Sequence, residues 1–256
     1  TQSNFETSGG FGPNQVSTIL GLGIFIFFVQ LMLNSTNGIL QIINGGLVLF
    51  FAYRGLITFS RGGIYTGVAM ILLLLAILYF QANFQTKPKI AGIILLSFLA
   101  TLAVWSYSSI KTNGLLNKRY ANQDAAGREK KSQLSGREVL IESELKMFYE
   151  NPILGVGVGK NKELRETETG IQAASHNEIT RMLAEHGTLG IVGLLILLIT
   201  PLYLFLVDRQ NILALSFFVF WLLTINHAAM RLSAPAFIYS LSLLTVYREA
   251  PAVHRK

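Results

Sequence analysis

A histidine and four arginines carry the side chains best suited to chemistry in this sequence. His176 opens the run His176-Asn177-Glu178. A neutral imidazole is the natural general base near neutral pH. Arg61 stands in Thr58-Phe59-Ser60-Arg61-Gly62-Gly63. Its guanidinium matches phosphate oxygens in bidentate geometry, so it can clamp an anionic headgroup. The same side chain can also serve as a snorkelling interfacial anchor. Arg54 lies seven residues earlier. The pair can share one helix face, roughly 10 Å apart. Ser135-Gly136-Arg137 opens an amphipathic stretch. A helix N-terminus with an arginine is a good anion site, although a solvated loop arginine has the same sequence appearance. His227 and Arg231 are spaced i, i+4 and can line a cavity or an interface.

Metal chemistry finds little support. His176 can be paired with Glu178, Glu185 or His186, but the spacing matches no compact ligand motif and there is no His-Glu-x-x-His. The chain has no cysteine, hence no thiolate site and no disulfide framework. No cofactor is expected. Asn151-Pro152 followed by Gly155, Gly157 and Gly159 is a helix stop with alternating glycines. No Gly-Lys-Ser/Thr follows, so these glycines predict tight turns and close backbone approach rather than a Walker loop.

These residues need elements to hold them, and the elements are apolar. Of 256 residues, 51% are hydrophobic and 14% charged. A soluble domain carries about 25% charged residues, too many more for this chain to be one. Between Ile110 and Gly187 stand 23 of the 35 charges, 12 basic and 11 acidic. The remainder reads as membrane spans: Gln15–Leu33, Gly38–Phe59, Ile64–Phe80, Ile90–Ser109, Thr188–Leu206, Ile212–Ala229 and a short Ala234–Val246. The expected fold is all-α, a polytopic transmembrane helical bundle of about seven spans with one large external loop containing short helices. Its divisions are 1–109, spans one to four; 110–187, the polar loop; and 188–256, the last three spans and tail. Within the loop, Arg137–Glu150 predicts an amphipathic helix and Ser175–His186 a second one leading into the next span.

Orientation follows from the connectors. Lys87, Lys89, Arg209, Arg248, Arg255 and Lys256 fall on one face, which the positive-inside rule makes cytoplasmic. Residues 9–14, Ser60–Gly63, the polar loop and Arg231 then share the other face. The +7 net charge is therefore a topology signal, and no nucleic-acid partner is expected. The chain starts at Thr1 without an initiator Met or signal peptide and is expected to be part of a longer protein.

Together the segments have a familiar order. Gly10-Phe11-Gly12-Pro13-Asn14 precedes a span and Ser60-Arg61-Gly62-Gly63 opens another. A long loop follows with Ser135-Gly136-Arg137, then Asn151-Pro152-x-x-Gly155-x-Gly157-x-Gly159. His176-Asn177 and Glu185-x-Gly187-x-x-Gly190 come last. This resembles the O-antigen ligase and O-antigen polymerase superfamily of bacterial envelope glycosyltransferases, over nearly the whole chain. The resemblance implies a GT-C-like membrane glycosyltransferase of about a dozen spans, of which this would be the C-terminal portion. It implies transfer of a glycan from an undecaprenyl-diphosphate carrier to an acceptor hydroxyl on the periplasmic face of the bacterial inner membrane. No nucleotide sugar or metal is implied, and the partners are the lipid-linked glycan, a glycan or lipid acceptor and membrane lipids. Arg61 and Arg137 match diphosphate-binding arginines, and His176 matches the histidine that activates the acceptor. Arg54, Asn14, Asn177 and Arg231 are further candidates for substrate binding. The chain departs from the pattern at Asn4-Phe5-Glu6-Thr7-Ser8, where many relatives carry an arginine, and Pro13-Asn14 lacks the preceding Asn.

Ligase, repeat-unit polymerase and protein-glycosylating transferase differ only in acceptor, and the motifs do not separate them. A transporter of the same lipid would place polar groups at mid-membrane depth in several spans. Here the candidates gather at one face. A non-catalytic membrane scaffold would make that gathering accidental.

Overall fold

The structure is a computed structural model and describes residues 3–130, 137–171, 173, 175–208, 210–226 and 232–246. Arg231, His227, Arg209, Ser135, Gly136, Arg248, Arg255 and Lys256 lie outside the described residues. Among the described residues the regular structure is all helical, with one isolated bridge between Gln123 and Glu129. The helices are α1 (Pro13–Val29), α2 (Gly38–Ile57), α3 (Arg61–Gln81), α4 (Lys87–Lys111), α5 (Leu115–Tyr120), α6 (Glu138–Glu150), α7 (Lys160–Thr169), α8 (Glu178–Val207), α9 (Ala214–Thr224) and α10 (Ser233–Ser242). Among the described residues, five helices are long and apolar enough to cross a membrane, including α1 extended by a π-helical turn to Asn34. The others are α2, α3, α4 and α8. The chain is thus a multi-pass helical membrane protein. The expected sixth and seventh spans coincide with α9 and α10, of 11 and 10 residues.

The helix starts follow local chemistry. Pro13 supplies a pre-set φ at the first position of α1. The Asn37 side chain caps α2 by accepting from the Leu40 amide. Left-handed Gly159 and Gly170 bound α7.

α1 and α3 cross at backbone contact. A Cβ on Gly21 would lie 2.0 Å from the Gly63 carbonyl oxygen, and one on Gly63 would lie 2.1 Å from the Ser17 carbonyl. Gly67 closes on Gly21 in the same way. Small residues four apart let membrane helices approach this closely, which matters because lipid removes the hydrophobic drive for helices to associate. Around this crossing Leu22, Phe25, Val29, Met70, Leu74, Phe220 and Ile238 form a core shared by α1, α3, α9 and α10. A second core of Ile24, Leu56, Phe59, Ile64 and Leu116 runs toward α5. α2 and α4 leave most of their apolar surface outward, as at Ile42 and Leu96, where lipid rather than protein covers it.

One sequence expectation is corrected. Arg54 and Arg61 do not share a helix face. α2 ends at Ile57, Phe59 takes a left-handed φ of 56°, and Arg61 begins α3 in the reversed direction. A heptad argument fails because a turn with a strained non-glycine residue interrupts the helix between them.

Candidate functional site

The described candidates, Asn14, Arg54, Arg61, Arg137, His176 and Asn177, sit at one end of the bundle, where α1 and α3 start, α2 and α4 end, and α6 and α8 begin. The Ser60 hydroxyl donates to Asn14 Oδ1 at 2.7 Å, and the Ser17 hydroxyl donates to the Ser60 carbonyl at 2.8 Å. Asn14 therefore fixes the backbone immediately before Arg61. Arg54 donates through Nη2 to the Thr7 carbonyl at 3.0 Å and ties the N-terminal segment over the end of α2. The Asn4 amide and Thr7 hydroxyl add bonds to the Thr58 and Ile57 carbonyls.

Sequence reasoning passed over Arg119. It lies in the last turn of the short helix α5, and its Nε donates to the Phe59 carbonyl at 2.8 Å, two residues before Arg61. Burial lowers the Arg119 pKa below the usual arginine value, and the nearby charges of Arg61 and Arg137 lower it further. Burial likewise lowers that of Arg137, with Glu138 opposing. Two guanidinium groups, from Arg61 on α3 and Arg137 at the start of α6, are thus within electrostatic reach of Arg119 on α5. Arginine keeps its charge through such shifts. The cluster is a concentration of positive charge that an anion relieves.

Tyr120, the next residue, walls this site. Its ring packs edge-on against Trp105 at 4.7 Å and Tyr65 at 5.9 Å. Its hydroxyl is buried with no hydrogen-bond partner among the described residues. Burial pushes the phenol well above its ordinary value, Tyr65 adds to that, and Arg61 and Arg119 oppose it. A spare O–H donor therefore lies beside the arginines.

The second half of the site is built on α6, α7 and the start of α8. His176 and Asn177 immediately precede α8, and Asn177 Oδ1 caps it by accepting from the Ile179 and Thr180 amides. The Asn177 side-chain oxygen is thus committed to a helix cap. Beneath His176 lies a fully buried pair, Arg165 and Glu144, 2.7 Å apart from Nη2 to Oε1. Burial pushes the Glu144 carboxyl above the usual carboxylate range, while hydrogen bonds from Thr180 and Ser175 and the Arg165 charge oppose it. Neither residue stood out in the sequence. The one available signal was that Glu144 falls on the apolar stripe of the amphipathic helix. The two halves meet through α6, which carries Arg137 at its start and Glu144 seven residues on, about 10 Å along the axis.

The alternating glycines clasp a break in α8. Gly187 has φ 58° and ψ −136°, which interrupts the helix and frees backbone groups. The Val156 and Gly157 amides donate to the Ala184 and Glu185 carbonyls, and the Thr188 amide donates to the Pro152 carbonyl. Glu185 Oε1 accepts from the Gly159 amide at 3.0 Å. The glycine run is a backbone clasp. Among the described residues no group of three or more His, Asp or Glu side chains converges as a metal site.

The profile of the O-antigen ligase family matches residues 46–198, more than half of the chain. The chain belongs to the O-antigen ligase family. The matched segment of this O-antigen ligase family member holds Arg54, Arg61, Arg119, Arg137 and His176, while Asn14 and Arg231 lie outside it. No curated protein and no solved structure matches the chain. Membership carries a ligase- or polymerase-like, glycosyltransferase-type role in the membrane.

Proposed function

We propose that this protein transfers a glycan from an undecaprenyl-diphosphate carrier to an acceptor hydroxyl at the periplasmic face of the inner membrane. The gathering of Arg61 and Arg137 around Arg119 carries this reading, because a diphosphate is the dianionic group such a cluster fits. As the glycosidic bond to the carrier breaks, negative charge grows on the diphosphate. Oriented guanidinium donors stabilise that charge. The neutral His176 imidazole takes the proton of the acceptor hydroxyl as its oxygen attacks the anomeric carbon. Attack opposite the departing diphosphate inverts configuration. The reaction draws on the protein's own side chains alone, without a metal. Asn14 and Arg54 act by holding the backbone around Arg61 and the N-terminal segment.

The test is a gel of surface glycans from cells lacking the full-length gene, complemented with wild type or His176→Ala. The expected result is loss of polymer from its acceptor with lipid-linked polymer accumulating, and no rescue by His176→Ala. An acceptor carrying a single repeat would instead make the protein a polymerase. Wild-type glycan in the His176→Ala strain would remove the histidine role.

A further inference from the structure

The most heavily built part of the molecule outside the arginine cluster is the buried network of Glu144 and Arg165. Both side chains are 0% exposed, where α6 and α7 of the polar loop meet the start of α8. Arg165 uses its whole fork. Nε donates to Ser143 Oγ at 3.2 Å, Nη2 to Glu144, and Nη1 to the carbonyl of Ala173. Glu144 receives the Thr180 hydroxyl at 2.6 Å on Oε2 and the Asn161 amide at 3.4 Å on Oε1, and it hydrogen-bonds Ser175. The Ser175 hydroxyl in turn bridges the Asn177 amide and carbonyl at 3.2 and 3.0 Å.

These contacts bracket one residue. Ala173 and Ser175 precede His176, while Asn177 and Thr180 follow it. The Glu178 amide adds a bond to the Ile225 carbonyl at 2.9 Å. The stretch before α8 has no helix or strand ladder of its own, so side chains must supply its backbone bonds. A buried ion pair contributes little net stability, since apolar residues of similar volume serve as well. Its better-attested use is to specify one arrangement.

We propose that Glu144 and Arg165 are positioning residues that fix the backbone on both sides of His176, and so the placement of its imidazole. The proposal rests on His176 being the base of the transfer reaction. The pair touches neither donor nor acceptor.

The test uses the full-length protein in membrane vesicles from its own host, loaded with that host's lipid-linked glycan. His176→Ala comes first. If it transfers glycan at the wild-type rate, the histidine role itself fails, whatever the pair does. Given loss in His176→Ala, the double variant Glu144→Met/Arg165→Met removes both charges without leaving either unpaired. Expected are a single melting transition and an affinity for undecaprenyl diphosphate within about twofold of wild type. Transfer should fall about 100-fold, the scale on which an ångström of misplacement acts. In histidine-labelled protein the His176 ring resonance, assigned by its absence in His176→Ala, should shift or broaden. A folded double variant with wild-type transfer overturns the proposal, as does lost transfer with an unmoved His176 resonance. A parallel loss of undecaprenyl diphosphate affinity also overturns it, because the pair would then serve the donor site. If the double variant does not fold, Ser175→Ala decides. It should lower transfer about 3- to 10-fold with the resonance displaced, and wild-type behaviour in both overturns the proposal.

Discussion

Arg119 commits its Nε to the Phe59 carbonyl, so its guanidinium cannot swing away from the turn that precedes Arg61. That turn is held by a residue with positive φ, a conformation that costs about 1–3 kcal/mol in a non-glycine residue and persists only where surrounding contacts enforce it. Arg119 is one of those contacts, and it belongs to the same cation cluster. Charge-assisted hydrogen bonds contribute about 1.5–3 kcal/mol each. Arg119→Ala should therefore weaken undecaprenyl diphosphate binding about 10- to 100-fold. Calorimetry on the purified protein checks this, and unchanged affinity would restrict Arg119 to the turn. Arg61 and Arg137 were visible in the sequence because they sit in short motifs. Arg119 was not, since nothing beside it marks it. Only the fold of α5 back onto the end of α2 gives it a role.

The elements owe their contacts to glycines that no hydropathy pattern flags. Gly63 and Gly67 form a small-residue stripe on α3 that admits the α1 backbone. Gly187 has a φ of 58°, and a Cβ there would lie 2.6 Å from the Ile153 backbone. Gly187→Ala should cost several kcal/mol, combining left-handed strain with a backbone clash. The expected readout is a lower melting temperature together with loss of glycan transfer. Gly46→Ala, in open space on α2, should leave both close to wild type. The spans α1 to α4 and the amphipathic helix lie within a few residues of where the apolar runs predicted them. Helices α5 and α7 escaped notice because they are short and polar; single buried residues, Leu116 and Arg165, tie them to the rest of the fold rather than a long apolar stripe.

At the scale of the molecule, the described part of the charged loop lies with Arg54, Arg61, Arg119 and Arg137 at one end of the bundle, while Lys87 and Lys89 lie at the other. We propose, on the positive-inside rule, that the lysine end is cytoplasmic. The chain has no cysteine, so single thiols report topology cleanly. In intact spheroplasts, Ala126→Cys in the polar loop should react with a membrane-impermeant maleimide, and Gln85→Cys at the lysine end only after lysis. The reverse pattern would place the site on the cytoplasmic side and remove a periplasmic reaction.

The sequence alone determined the membrane class, the separation of the charged loop from the spans, and the family. These depend on solvent: in lipid an apolar run must be helical, and charge must collect where water is. It also put forward Arg61, Arg137 and His176 as candidates, because short-range motifs mark them. Only the tertiary structure decided that Arg54 parts from Arg61, that Asn177 caps a helix, that Glu144 pairs with Arg165 in the interior and that Arg119 holds the turn before Arg61. Buried charges and close backbone approaches are defined by partners far along the chain, such as Arg119 with Phe59, 60 residues apart. No local pattern encodes such a pairing, because its energy appears only once the helices have packed.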